Sequence, residues 1–195
     1  MKKLYSIIFI LSVMTIVSCA PRQIQRVDSN QTIDLSGRWN DTDSRSVSSE
    51  IIGQLLRANW VNNYKIENEG KKPVIIVGLV KNKSHEHIDA NTFIKDIERA
   101  IINDGSARLV QAGAKRDALR QERSAQQDFA SSETAKSWGL ELGADFMLQG
   151  TINSIVDTYN KEKVIYYQIN LELAHLETNE IVWIGEKKIK KYINK

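Results

Sequence analysis

The chain has 195 residues, 42% hydrophobic and 26% charged, which excludes a disordered chain and fits one ordinary globular domain with some extra length at an end. The formal net charge is +3, and without Lys2 and Lys3 it falls to about +1. That is too small for a global field that attracts nucleic acid.

Lys2 and Lys3 form a basic start, and Leu4 to Val17 is an apolar run of 14 residues, short of the ~20 that a spanning helix needs. The run leads into Ile16, Val17, Ser18 and Cys19, which resembles the bacterial lipobox, where a small residue precedes the cysteine that is acylated and becomes the new N-terminus. Cys19 is the single cysteine. An intermolecular disulfide, a buried thiol and a lipid carrier are the three readings of such a residue, and its position behind a complete leader selects the last. One acyl chain binds a membrane only marginally, so the lipoprotein resemblance implies two or more, palmitate among them. Ala20, rather than an aspartate, follows Cys19; under the enterobacterial sorting rule this implies the periplasmic face of the outer membrane. Residues 1–18 are therefore expected to be a signal peptide, 19–32 a lipid-anchored tether and 33–195 the globular domain. Ala20 to Thr32 is polar and aperiodic, and from Cys19 to Ile33 it reaches at most about 50 Å.

Within the domain, Val47, Ile51, Leu55 and Leu56 recur at helical spacing and predict a first helix from about Asp43 to Asn59. Asn62 to Lys72 is polar, ends at Pro73 and reads as a loop. The β-branched run Val74 to Val80 predicts a strand buried on both faces. Asp89 is placed to cap a second helix with the stripe Phe93, Ile94, Ile97 and Ile101, closed by Gly105. A short strand is expected at 108–111, then an exposed charged helix over Lys115 to Gln127. A further helix over Ser132 to Leu142 would turn Ala135, Trp138 and Leu142 to the core. Asp145 to Thr158 reads as a long strand with Phe146, Leu148, Gly150 and Ile152 on one face. After a turn at Asn160 to Glu162, Ile165, Tyr167, Ile169, Leu171 and Leu173 alternate with polar residues, and Ile181 to Gly185 completes a three-stranded meander. The fold class that follows is α/β (α+β), with one central mixed, largely antiparallel sheet of about five strands flanked by helices.

Asp41-Thr42-Asp43 is a D-x-D pattern, as in metal-assisted sugar transfer. It lies just before an amphipathic run, where carboxylates accept from free helix N–H groups and meet the positive end of the helix dipole, and no histidine or second carboxylate cluster accompanies it. Capping is the preferred reading, and no metal or cofactor is expected. His85 and His87 lack a third ligand and read as a solvated loop, and His175 as a surface or hydrogen-bonded strand residue. No nucleophile elbow or phosphate loop is present, so no catalytic residue is named. Trp138 and Trp183 read as core, and Trp39 and Trp60 as candidates for packed lids around the first helix. The tail from Lys187 to Lys195 holds five lysines in nine residues. Contact with anionic lipid or an acidic wall polymer is one reading; the preferred one is a solvated edge strand, where lysines discourage sheet-to-sheet association.

Three blocks, DLSGRWNDTDSR, VIIVGLVKNKSHEHIDANTFIKDIERAIINDG and LELGADFMLQGTI, together resemble the LpoB family, outer-membrane lipoprotein activators of class A penicillin-binding proteins. The resemblance runs from about Asp34 to Lys187 and implies a fold similar to the N-terminal domain of TolB. It also implies a non-enzymatic regulator, anchored through Cys19, whose partner is a class A penicillin-binding protein. Arg38, Trp39, Asn40, Asp41, Asp43 and Arg45 are the family-motif residues and the candidate partner surface. The tether departs from the long, proline-rich enterobacterial pattern, since Pro21 and Pro73 are the only prolines. The alternatives are an envelope assembly or secretion lipoprotein similar to CsgG, another TolB-like interaction module, and an envelope hydrolase, which would need a nucleophile or carboxylate pair in a pocket.

Overall fold

The computed structural model describes residues 23–131, 133–134 and 141–194. Contacts divide the chain at Thr32/Ile33 into two units. In the first, residues 23–28 have no regular structure and the chain then turns, with Gln31 N donating to Asp28 O at 3.0 Å and Asn30 N to Asp28 Oδ1 at 2.7 Å. The second unit holds all the helices and strands that follow.

Helix α1 spans Asp41–Arg57 and begins two residues earlier than its apolar spacing predicts, because Asn40 is the N-cap. Val47, Ile51 and Leu55 form its buried stripe. Helix α2, Trp60–Glu67, corrects the expectation of a loop over Asn62 to Lys72. Its sequence is polar because only one narrow face is covered: Trp60 and Val61 are buried, and the Tyr64 ring meets Phe146 at 5.4 Å.

Strand β1, Val74–Asn82, outruns its apolar core, and the expectation of burial on both faces fails. Ile75 is fully buried while Leu79 is 75% exposed, and the register with its neighbour shifts between Val77 and Val80. Helix α3, Asn91–Asp104, buries the predicted Phe93, Ile94, Ile97 and Ile101. Its N-cap is Ala90, not Asp89; the Asp89 carboxylate instead accepts from Asn91 N at 2.9 Å, one turn position ahead of the helix. Gly105 ends α3 at φ +69°, the left-handed conformation in which glycine carries no Cβ penalty.

Strand β2, Arg108–Val110, precedes helix α4, Gly113–Phe129, which buries none of its residues, as its charge predicts. Ser132 and residues 135–140, with Ala135 and Trp138, lie outside the described residues; Leu142 lies outside any helix or strand and is 43% exposed. Strands β3 (Phe146–Tyr159), β4 (Glu162–His175) and β5 (Ile181–Asn194) form the expected meander. Asn160, at φ +51°, opens the tight β3–β4 turn. Strand β5 is much longer than the predicted Ile181 to Gly185 and takes in the lysine-rich tail as an edge strand.

The sheet order is β2-β1-β3-β4-β5, with β1 parallel to β2 and β3 and the meander pairs antiparallel. Ile165, Tyr167, Ile169, Leu171 and Leu173 are all fully buried and join the stripes of α1 and α3 in one core with Phe146, Leu148 and Ile152. Each such side chain contributes roughly 1.5–3 kcal/mol on burial, so β4 is the spine of the domain. On its opposite face Tyr166, Gln168, Asn170 and Glu172 remain half-buried, and polar side chains bridge strands there: Gln149 Nε2 donates to Glu172 Oε1 at 2.9 Å and Gln168 Nε2 to Glu186 Oε2 at 2.7 Å.

Candidate functional site at the helix entry

The residues from Asp34 to Arg45 wrap the start of α1, and the geometry follows from the unpaired N–H groups at a helix N-terminus. Asn40 Oδ1 accepts from Asp43 N at 3.2 Å while Asp43 Oδ2 accepts from Asn40 N at 2.9 Å, a reciprocal capping box. The capping reading of Asp43 is thus correct, with Asn40 as its counterpart.

Asp43 does more than cap. It is 6% exposed, and Lys191 Nζ on β5 reaches its Oδ2 at 2.6 Å. The same ammonium donates to Arg38 O at 2.9 Å and lies 3.4 Å from Asp34 Oδ1. One cation therefore fastens three points of the N-terminal motif to the last strand. Gly37 permits this approach: at φ +68° it lies where a Cβ would fall 2.3 Å from Ile193 Cδ1.

Trp39 closes the other side. Its backbone N donates to Glu86 Oε2 and its Nε1 to Ser44 Oγ, both at 2.9 Å, and its ring meets Tyr167 edge-on at 5.3 Å and Phe93 at 6.4 Å. Ser44 Oγ also pairs with Thr92 Oγ1 at 2.9 Å, joining α1 to α3. Trp39 is the lid the sequence suggests; Trp60, buried with Nε1 donating to Leu55 O at 3.0 Å, belongs to the core.

The loop that carries Glu86 is built rather than loose. Asn82 donates through Nδ2 to Glu86 O at 2.8 Å and accepts at Oδ1 from Ser84 N at 2.9 Å. His85, expected in a solvated loop, is anchored instead: Nδ1 pairs with Ser154 Oγ at 2.7 Å, Nε2 lies 3.2 Å from Glu86 Oε1, and the ring stacks on Tyr167 at 6.0 Å. His87 is exposed. His175 accepts at Nδ1 from Glu177 N and Thr178 N, as a hydrogen-bonded strand histidine does.

Beneath this lid the Tyr167 hydroxyl is buried without a hydrogen-bond partner among the described residues. Burial first, then the Glu86 carboxylate and more weakly that of Asp43, push this phenol well above its ordinary range.

Arg38, Asp41 and Arg45 remain toward solvent. Arg45 pairs with Asp41 one turn earlier and donates to Thr42 Oγ1 at 3.1 Å; that guanidinium holds the Asp41 carboxyl below its usual range. Trp39, Asn40, Asp41, Ser44, Arg45 and Thr92 line a shallow depression of about 280 Å³. Among the described residues no group of three or more histidine, cysteine or carboxylate side chains is placed to hold a metal. Cys19 lies outside the described residues. The inner polar groups are spent on joining distant parts of the chain, and the outer charges face solvent. Lys191, Glu86 and Thr92 escaped sequence reasoning, which placed Tyr167 only as an inward residue of its strand; the lysine-isoleucine alternation of β5 hints that Lys191 turns inward with Ile189 and Ile193.

Among solved structures, the chain is similar to the LpoB C-terminal domain from Salmonella enterica, at 19% identity over 73% of this chain and 96% of that one, TM-score 0.36. The Escherichia coli LpoB C-terminal domain aligns at 18% identity, with the same coverages and TM-score. A lipoprotein from Neisseria meningitidis aligns at 14% identity over 63% of this chain and 84% of that one, TM-score 0.35. No curated protein matches the chain. The assignment rests instead on the family model for the peptidoglycan-synthase activator LpoB, which matches residues 43–189, more than half of the chain and nearly every element from α1 to β5. The chain belongs to the LpoB family of peptidoglycan-synthase activators.

Proposed function

We propose that this protein is a non-catalytic, lipid-anchored regulator that binds a class A penicillin-binding protein and activates it. The observation that carries this reading is the family match over residues 43–189. Activation here is linkage: the regulator binds the active state of the synthase more tightly than the inactive one, and a tenfold shift between states takes about 1.4 kcal/mol of differential binding. The leader through Ser18 and the lone Cys19 support an acylated N-terminus at the periplasmic face of the outer membrane. A tether of at most about 50 Å keeps the domain near that membrane, so the synthase must bring its contacting region outward.

The test is glycan polymerisation by the purified cognate synthase, with and without the full-length acylated protein. Stimulation of several fold is expected, and a rate unchanged at saturating protein overturns the reading. Sizing of the detergent-extracted protein adds an independent check: a ring of many copies would favour an assembly or channel lipoprotein instead.

A further inference from the structure

Strand β5 is an edge, and one helix side chain reveals which of its backbone groups face outward. Gln54 of α1 accepts at Oε1 from Glu186 N and donates through Nε2 to Glu186 O, both at 2.9 Å. Those two groups are therefore not spent on β4, and Glu186 opposite Asn170 is a non-hydrogen-bonded pair. Such pairs alternate with bonded ones along an antiparallel ladder, and the register is unbroken from Trp183 to Asn194. It follows that Lys188, Lys190 and Tyr192 also turn their N–H and C=O groups away from the sheet.

Helix α1 explains where this edge is covered and where it is open. Asp43 sits at Lys191 and Gln54 at Glu186, and the helical and strand rises between those points are both about 17 Å, so α1 runs antiparallel beside β5. Gln54 imitates a neighbouring strand at Glu186 alone. Among the described residues, the outward groups of Lys188, Lys190 and Tyr192 have no hydrogen-bond partner.

Charge selects what pairs there. The stretch from Glu186 to Tyr192 carries Lys187, Lys188, Lys190 and Lys191 against Glu186 alone. Lys191 is turned inward to Asp43, and Lys188 lies 2.6 Å from Glu186. Lys187 and Lys190 have no ion-pair partner among the described residues. A second copy of β5 would set lysines against lysines, which is destabilising. A lipid surface would meet only one plane of cations, whereas Lys188 and Lys190 lie on the opposite sheet face from Lys187. We propose that the β5 edge from Lys188 to Tyr192 docks an extended acidic segment of a partner protein, which adds to the sheet as a sixth strand. Backbone bonds would supply affinity and the lysines the preference for acid. This holds for any protein that presents such a segment and does not rest on the synthase reading.

The test uses the full-length chain in neutral detergent and a dye-labelled nine-residue peptide alternating glutamate and valine, with a lysine-valine peptide as control. The acidic peptide should bind, and the double variant Lys188→Gln, Lys190→Gln should weaken it roughly tenfold while melting as the parent does. At saturation, amide exchange measured by NMR should slow at Lys188, Lys190 and Tyr192. The Gln54→Ala variant, which frees Glu186, should gain protection there as well. Absence of binding, binding without new protection at those three amides, or equal affinity of the glutamine variant would each overturn the proposal. So would protection of the same amides by the protein's own concentration in the absence of peptide, which would assign the edge to a second copy.

Discussion

Lys191 Nζ, near the end of β5, lies 2.6 Å from Asp43 Oδ2 in the first turn of α1, 148 positions away. The side chains are only 13% and 7% exposed, so the pair is shielded from solvent and salt. It joins the segment from Asp34 to Arg38, the cap of α1 and the edge of the sheet through one ammonium.

Removing the cation alone strands a buried carboxylate. Lys191→Met is expected to cost roughly 3 kcal/mol in urea unfolding. Adding Asp43→Asn should recover part of it, with a coupling of at least about 1 kcal/mol in the double-mutant cycle. A coupling near zero would reduce the pair to neighbours.

Gly37 is held at φ +68° against Ile193. Gly37→Ala should destabilise by roughly 1–3 kcal/mol, through both backbone strain and contact. In an Ile193→Ala background the contact part should disappear and the backbone part remain. Equal losses in both backgrounds would show that the contact has no role.

Tyr167 buries a hydroxyl that has no hydrogen-bond partner among the described residues. Replacing it with phenylalanine removes an unsatisfied group at almost constant shape, so Tyr167→Phe should leave stability unchanged or raise it by about 1 kcal/mol. A loss of more than about 1 kcal/mol would mean that the hydroxyl is bonded in solution.

Burial, and then the Asp145 carboxylate, push the Tyr64 phenol up to about 12. Above its ordinary value near 10 the unfolded chain releases this proton while the folded chain keeps it, so the unfolded state binds fewer protons and stability falls with rising pH. The contribution is complete below pH 10 and is lost as pH rises through about 12. Tyr167 acts in the same direction. Denaturant melts at stepped alkaline pH should show this decline, and Tyr64→Phe should flatten it; an identical slope in the variant would remove Tyr64 from the effect.

Arg38 and Arg45 flank the entry to α1 and face solvent. Arg38→Glu with Arg45→Gln should change stability by no more than about 0.5 kcal/mol. If the outer side of the motif contacts the synthase, stimulation of glycan polymerisation should drop roughly fivefold or more. Undiminished stimulation would leave the motif as a folding device only.

Much of the architecture is legible in residue order. The stripe Phe93, Ile94, Ile97 and Ile101 and the alternation from Ile165 to Leu173 each report the period of one element, and the burial agrees with both. A polar start to α1 likewise announces its cap. Helix α2 was hidden because so little of it is covered; the lysine-rich tail is the edge strand its lysines suggest, and what the sequence left open is that it continues Ile181 to Gly185 as one strand.

Sequence alone determined most of the element types and the order of the meander, since periodicity, capping and turn chemistry act over a few neighbouring residues. Tertiary structure decided that Asp43 serves Lys191 as well as its own helix, that Trp39 closes over Tyr167, and that Gln54 covers one point of an otherwise open edge. Those relations depend on strand register and on the angle at which a helix crosses a sheet. They are set by the packing of the whole core, and no local pattern encodes them.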